Sequence, residues 1–109
     1  MKIPIFQVNT FTSELFCGNS AAVCPLESWT SDKILQSISY ENNLSETAFF
    51  VRENDGYRIR WFTPVCEVDL CGHATLASAY IIFNEIDRAV SNIKFFSNSG
   101  KLVSQKIQI

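Results

Sequence analysis

Asp69-Leu70-Cys71-Gly72-His73-Ala74-Thr75 carries a strand-like segment into a helix start. The first N–H groups of a helix have no intrahelical partner and form its positive end, so this junction is a ready anion site. It is flanked by the single histidine of the chain and by a thiol, and both can do proton chemistry. Downstream, Gly72 to Glu85 reads as a helix, with Leu76, Ala79, Tyr80 and Phe83 at helical spacing. Its early Ala, Ser and Thr residues allow close packing against a sheet.

The rest of the chain is rich in strands. Ile3 to Asn9 is dominated by β-branched and aromatic residues. Thr10 to Asn19 reads as a loop closing at Gly18-Asn19, and Ser20 to Pro25 as a short buried strand. Thr30 or Ser31 suits an N-cap, with Ile34, Leu35 and Ile38 on one helix face and fraying near Asn42-Asn43. Thr47 to Glu53 and Tyr57 to Phe62 form the arms of a hairpin around Asn54-Asp55-Gly56. In the second arm Tyr57, Ile59 and Trp61 point one way and Arg58, Arg60 and Phe62 the other. Val65 to Leu70 reads as extended. Ile93 to Phe96 and Leu102 to Ile109 are strands around Asn98-Ser99-Gly100. Many strands and one long apolar helix imply an α+β fold, a curved mixed sheet or partial barrel wrapped around a central helix.

With 109 residues, 47% hydrophobic and 18% charged, the chain suits a single packed domain spanning 1–109. A net charge of -2 argues against a nucleic-acid partner, which demands a basic face. No apolar run approaches the roughly 18 residues of a membrane span. The opening Met1-Lys2-Ile3-Pro4-Ile5 lacks a signal-peptide core, so the expected compartment is the cytoplasm and the four cysteines are expected as thiols. Cys66, Cys71 and His73 hint at zinc, but no second Cys-x-x-Cys or His pair completes a tetrahedral set, and no metal site is expected.

Three segments bear chemistry. Glu46 lies where a loop gives way to a hydrophobic strand, a position that suits a general acid/base. Taken alone, it reads equally as a strand-start carboxylate. Gly18-Asn19 allows close backbone approach to a ligand, though Asn19 alone reads as a turn cap. In the opening stretch, Asp69, Cys71 and His73 each have a plain structural reading as well: turn carboxylate, small packing residue and backbone-bonded imidazole.

The order of these segments resembles the N-terminal domain of the phenazine biosynthesis PhzF-like family, relatives of diaminopimelate epimerase. The matching stretches are Phe16-Cys17-Gly18-Asn19-Ser20-Ala21-Ala22-Val23, Leu44-Ser45-Glu46-Thr47-Ala48-Phe49, and Arg60-Trp61-Phe62-Thr63-Pro64 running into Glu67 to Thr75. Ile5 to Phe11 and Phe96 to Leu102 fit as well. The resemblance implies one half of a two-domain fold, each domain a curved sheet or barrel around a helix, with the active site between them. It implies cofactor-free isomerisation or epimerisation of a small carboxylate-bearing molecule. The family's catalytic glutamate falls on Glu46 and its histidine on His73. Its substrate-binding backbone falls on Gly72, His73, Ala74 and Thr75, with Asp69, Gly18 and Asn19 beside it. Cys71 occupies the place of the epimerases' catalytic thiol.

Two departures stand out. Ser20 replaces a usual proline, and family members are about twice as long, as two common-sized domains. The C-terminal domain, with the opposite wall of the cleft, is absent from this sequence. The expectation is therefore an enzyme half completed by a second copy, as a homodimer, or by a separately encoded C-terminal half. The alternative is a catalytically incomplete module that dimerises or binds small acids, and a metal-binding domain is a distant third.

Overall fold

The computed structural model describes residues 3–9 and 20–105. The expected loop 10–19, with Cys17, Gly18 and Asn19, and the expected strand end at 106–109 lie outside the described residues.

One mixed sheet organises the chain. Its strands are β1 (Phe6–Asn9), β2 (Ser20–Leu26), β3 (Glu46–Glu53), β4 (Gly56–Phe62), β5 (Glu67–Val68), β6 (Asn92–Ser97) and β7 (Gly100–Gln105), in spatial order β1-β2-β3-β4-β6-β7 with β5 added to β4. Pairing is parallel for β2 with β3 and for β4 with β6, and antiparallel elsewhere. Helix α1 (Asp32–Asn42) connects β2 to β3, and helix α2 (Gly72–Ile81) follows β5.

The helices cover opposite faces, and strand alternation assigns each residue to one of them. Ala21, Val23, Ala48, Phe50, Tyr57, Ile59, Trp61 and Phe95 pack with α2, whereas Cys24, Phe49 and Phe62 pack with Leu35 of α1. With both faces covered, β3 reads as the continuous run Thr47-Ala48-Phe49-Phe50, all buried. The expected hairpin forms, with Glu53 paired to Gly56 and Asn54 taking the left-handed conformation (φ 54°). A Cβ on Gly56 would run into the backbone carbonyl of Lys94, so the contact between β4 and β6 requires glycine.

Helix α1 begins where expected. Ser31 is its N-cap, accepting a hydrogen bond from the Ile34 N–H at 3.3 Å, and Asn43 closes it in the left-handed region. Its buried face is Leu35 and Ser39, not the expected Ile34, which is 42% exposed. The Ser39 hydroxyl fits there because it donates to the Leu35 carbonyl.

The expected face of α2 is likewise rotated. Leu76 and Tyr80 are 67% and 58% exposed, while Ala74, Ala77, Ser78, Ala79 and Ile81 are buried. Small residues bring the helix close to the sheet, leaving its larger apolar side chains outside. Past Ile81 the chain winds as a π-helical turn, Ile82–Ile86, with Asp87 N–H bonded to the Ile82 carbonyl at 2.7 Å. This wider turn puts Ile81, Ile82 and Phe83 in succession against the core. Two segments pair as strand over less of their length than the sequence suggests. β1 begins at Phe6, and only Glu67–Val68 of Val65 to Leu70 pairs as strand.

On the α1 face, Arg60 ties three elements together. It makes two bonds of 2.8 Å to Glu67 and one of 3.0 Å to Asp32, and it lies over the rings of Trp29 and Phe62. The bidentate bond to Glu67 is the main reason its guanidinium is held even more firmly protonated than usual, with Asp32 adding to it against the opposing effect of burial. Replacing Arg60 with Met is expected to lower urea-unfolding stability by about 1–3 kcal/mol, because the bidentate bond and the ring stacking go together. Asp32 is 78% exposed, so Asp32→Ala should cost under about 1 kcal/mol. Equal losses in the two variants would contradict this division. Gly56→Ala should cost about 1–3 kcal/mol by separating β4 from β6, and an unchanged unfolding midpoint would show that the contact yields.

Candidate functional site

The parallel pairing of β2 with β3 puts Ala21 beside Glu46, so both strands start at one end of the sheet, where β1 finishes at Asn9 opposite Ser20. There the Ser20 hydroxyl donates to Asn9 Oδ1 at 2.8 Å. Glu46 shares the face of Ala48 and Phe50, which is the face α2 covers. The N-terminus of α2 arrives at the same place, since its N-cap residue Cys71 packs in that core.

Glu46 and Cys71, distant in sequence, are therefore neighbours. Burial pushes the Cys71 thiol up, and the Glu46 carboxylate adds to this by repulsion and by accepting the S–H, while the Ala74 and His73 N–H groups pull the other way. The sulfur is nonetheless outside capping hydrogen-bond geometry. Glu46 is partly buried, and its Oε2 is enclosed with no hydrogen-bond partner among the described residues. An acidic hydrogen, a carboxylate and the positive end of a helix thus meet at one point.

The other expected site residues separate around this point. Gly72 and His73 are exposed at the helix start, and Ala74 is buried behind them. Thr75, expected among the substrate-binding residues, is buried one position further along the helix. Its N–H and its hydroxyl both donate to the Cys71 carbonyl, at 3.1 and 2.7 Å, so it anchors the cap. The N–H groups left without an intrahelical partner are those ahead of it, at Gly72, His73 and Ala74. Asp69 is exposed, and its backbone carbonyl accepts from the Ser99 hydroxyl at 2.6 Å, which fastens the approach to α2 onto the β6–β7 turn.

His73 faces a second feature, an open groove of about 810 Å³ between β1 and α2 that Leu76 and Tyr80 also line. Glu46 and Cys71 do not line it. Cys66 is exposed while Cys71 is buried, and no group of three or more His, Cys, Asp or Glu side chains converges among the described residues. Sequence reasoning missed Trp61, whose buried indole N–H also lacks a partner among the described residues. Its alternation marked it as core, and nothing in the pattern showed an unpaired donor.

A mixed sheet with a small-residue helix on one face, and a carboxylate beside that helix's start, is one half of the two-domain epimerase-like fold. The chain belongs to the phenazine biosynthesis-like protein family, PhzC-PhzF, whose model matches residues 8–108. Over 102 residues it is 54% identical to an "uncharacterized isomerase" of Pseudomonas aeruginosa, covering 94% of this chain and 39% of that protein. It is 43% identical over 116 residues to a human phenazine biosynthesis-like domain-containing protein, covering 99% of this chain and 40% of that one. The crystal structure of a PhzF-family phenazine biosynthesis protein from Enterococcus faecalis matches with a TM-score of 0.92 at 49% identity, over 99% of this chain and 42% of that chain. A "predicted epimerase" from Pseudomonas aeruginosa shares the fold, with a TM-score of 0.80 at 21% identity. The chain thus spans about two-fifths of the length of the curated relatives it matches. No helix among the described residues is long and apolar enough to cross a membrane.

The contact between Glu46 and Cys71 can be read directly. In protein made with carbon-13 cysteine, the Cys71 Cβ resonance should titrate above the usual thiol range in the wild type. In Glu46→Gln it should titrate at lower pH, because the repelling charge is gone. An unchanged midpoint would place the carboxylate away from the thiol.

Proposed function

We propose that this chain supplies one wall of a site for cofactor-independent proton transfer on a small carboxylate-bearing metabolite in the cytoplasm. The observation that carries this reading is the enclosed Glu46 carboxylate at the N-terminus of α2, beside Cys71. Membership of a family that includes proteins named as isomerases supports it.

The chemistry follows from the arrangement. The substrate carboxylate binds the N–H groups of Gly72, His73 and Ala74, which favour an anion through hydrogen bonding and the helix dipole. Glu46 takes a proton from the adjacent carbon, and the electron pair left behind spreads onto the anchored carboxylate. Returning that proton to a different carbon gives an isomer, with nothing gained or lost. Returning a proton from the opposite side gives an epimer and needs an acid on the facing wall, while Cys71, on the same wall as Glu46, is the runner-up acid/base. His73, exposed at the cleft edge, hydrogen-bonds the substrate. Asp69 is exposed on the approach to α2 and is assigned to substrate binding, a role the family resemblance also gives Gly18 and Asn19.

A proton shuttle needs groups around its substrate, and these residues form one side. The site is completed by a second copy of this chain or by a C-terminal-half protein. The exposed Leu76 and Tyr80 favour a second reading, a small-acid-binding or dimerising module without turnover.

The test is solvent deuterium uptake by a panel of small amino, hydroxy and unsaturated acids, with the chain alone and mixed with the C-terminal part of a relative. Uptake should appear in the mixture and fall by about 10²–10⁴-fold in Glu46→Gln. Uptake that survives Glu46→Gln would remove the glutamate from its role. Binding without uptake under every condition would favour the non-catalytic module.

A further inference from the structure

Two buried side-chain polar atoms lack a hydrogen-bond partner among the described residues, and they complement each other: Trp61 Nε1 donates and Glu46 Oε2 accepts. Both belong to the α2 face of the sheet. Trp61 pairs directly with Ala48 across β3 and β4, and Glu46 lies two residues before Ala48 on the same face. That is the diagonal cross-strand relation, which long and aromatic side chains span. Ala48 has only a methyl group between them. Trp61 is 1% exposed, so its N–H has no route to bulk water. A buried donor and a buried acceptor at diagonal positions on one face are costly if left unpaired, whereas one water joining them satisfies both.

We propose that Trp61 is a positioning residue for Glu46. Its indole N–H donates through a single bridging water to Oε2, which holds the carboxylate with its other oxygen toward Cys71 and the start of α2. A donor on Oε2 restrains rotation of the carboxylate plane. The link gives Trp61 a task beyond filling the core and explains a buried indole near the end of β4 with no partner among the described residues. The inference deepens the proposed proton-transfer role of Glu46 and rests on that reading for its functional meaning. Its geometry can be tested without any substrate.

The chain has two tryptophans, and the other, Trp29, packs against Arg60 on the opposite face, so it serves as an internal control. In nitrogen-15 labelled protein, the Trp61 indole N–H resonance should shift with pH in step with the Glu46 carboxyl carbon. In Glu46→Gln that shift should vanish, while the Trp29 resonance stays as in the wild type and reports an intact fold. A Trp61 resonance that is flat while the Glu46 carbon titrates, or that shifts equally in Glu46→Gln, would overturn the proposal. Deuterium uptake separates the two claims. If Glu46 does not move protons, uptake is insensitive to Glu46→Gln while the indole coupling persists. If Trp61 does not position Glu46, the coupling is absent while uptake still depends on Glu46. Where uptake is measurable, Trp61→Phe should lower kcat by about tenfold with KM little changed, since the water link acts on the proton acceptor and not on the carboxylate anchor.

Discussion

Helix α2 can lie close to the sheet because Ala74, Ala77 and Ser78 give its inner face almost no bulk. The Ser78 hydroxyl stays dry by donating to the Ala74 carbonyl at 2.7 Å. That close contact fixes where the helix begins, and the site depends on it. A helix held farther out by Leu76 or Tyr80 would carry its N-terminal N–H groups away from the ends of β2 and β3. With the small residues inside, Cys71 enters the core and meets Glu46. Thr75 reinforces the arrangement by directing both of its donors to the Cys71 carbonyl.

The electrostatics of the helix start then become intelligible. Backbone N–H groups favour negative charge there, and the Glu46 carboxylate already supplies one charge nearby. The thiol answers by staying protonated, as burial and the carboxylate outweigh the pull of the His73 and Ala74 N–H groups. A protonated thiol beside a carboxylate is an acid next to a base. That pairing suits proton movement in both directions better than nucleophilic attack, which needs the thiolate.

Local patterns made parts of this architecture legible in the sequence. The alternation from Tyr57 to Trp61 placed those side chains on one face, and Ser31 capped its helix as its hydroxyl chemistry implies. Helical spacing was a weaker guide, because it shows that a face exists without saying which one the sheet takes. Ile34, Leu76 and Tyr80 lie outside for that reason. The meeting of Glu46 with Cys71 depends on a parallel pairing of β2 with β3 and on the path through β4 and β5, and no local pattern encodes it. It was reached through the resemblance of three ordered motifs. That the Trp61 indole has no partner among the described residues is legible only in three dimensions, because an aromatic residue at a core position looks the same whether or not its N–H is satisfied. The Thr75 N–H is the first in α2 with an intrahelical partner, which the sequence does not display.

The central claim is that Glu46, Cys71 and the start of α2 form one anion-receiving site. An NMR titration of the chain with a small carboxylate, following backbone amides together with the Glu46 carboxyl carbon, tests it most directly. Saturable shifts are expected, largest at the Gly72, His73 and Ala74 amides and extending to Glu46 and Cys71. Shifts confined to the groove residues Leu76 and Tyr80, or no saturable shift at the helix start, would contradict it.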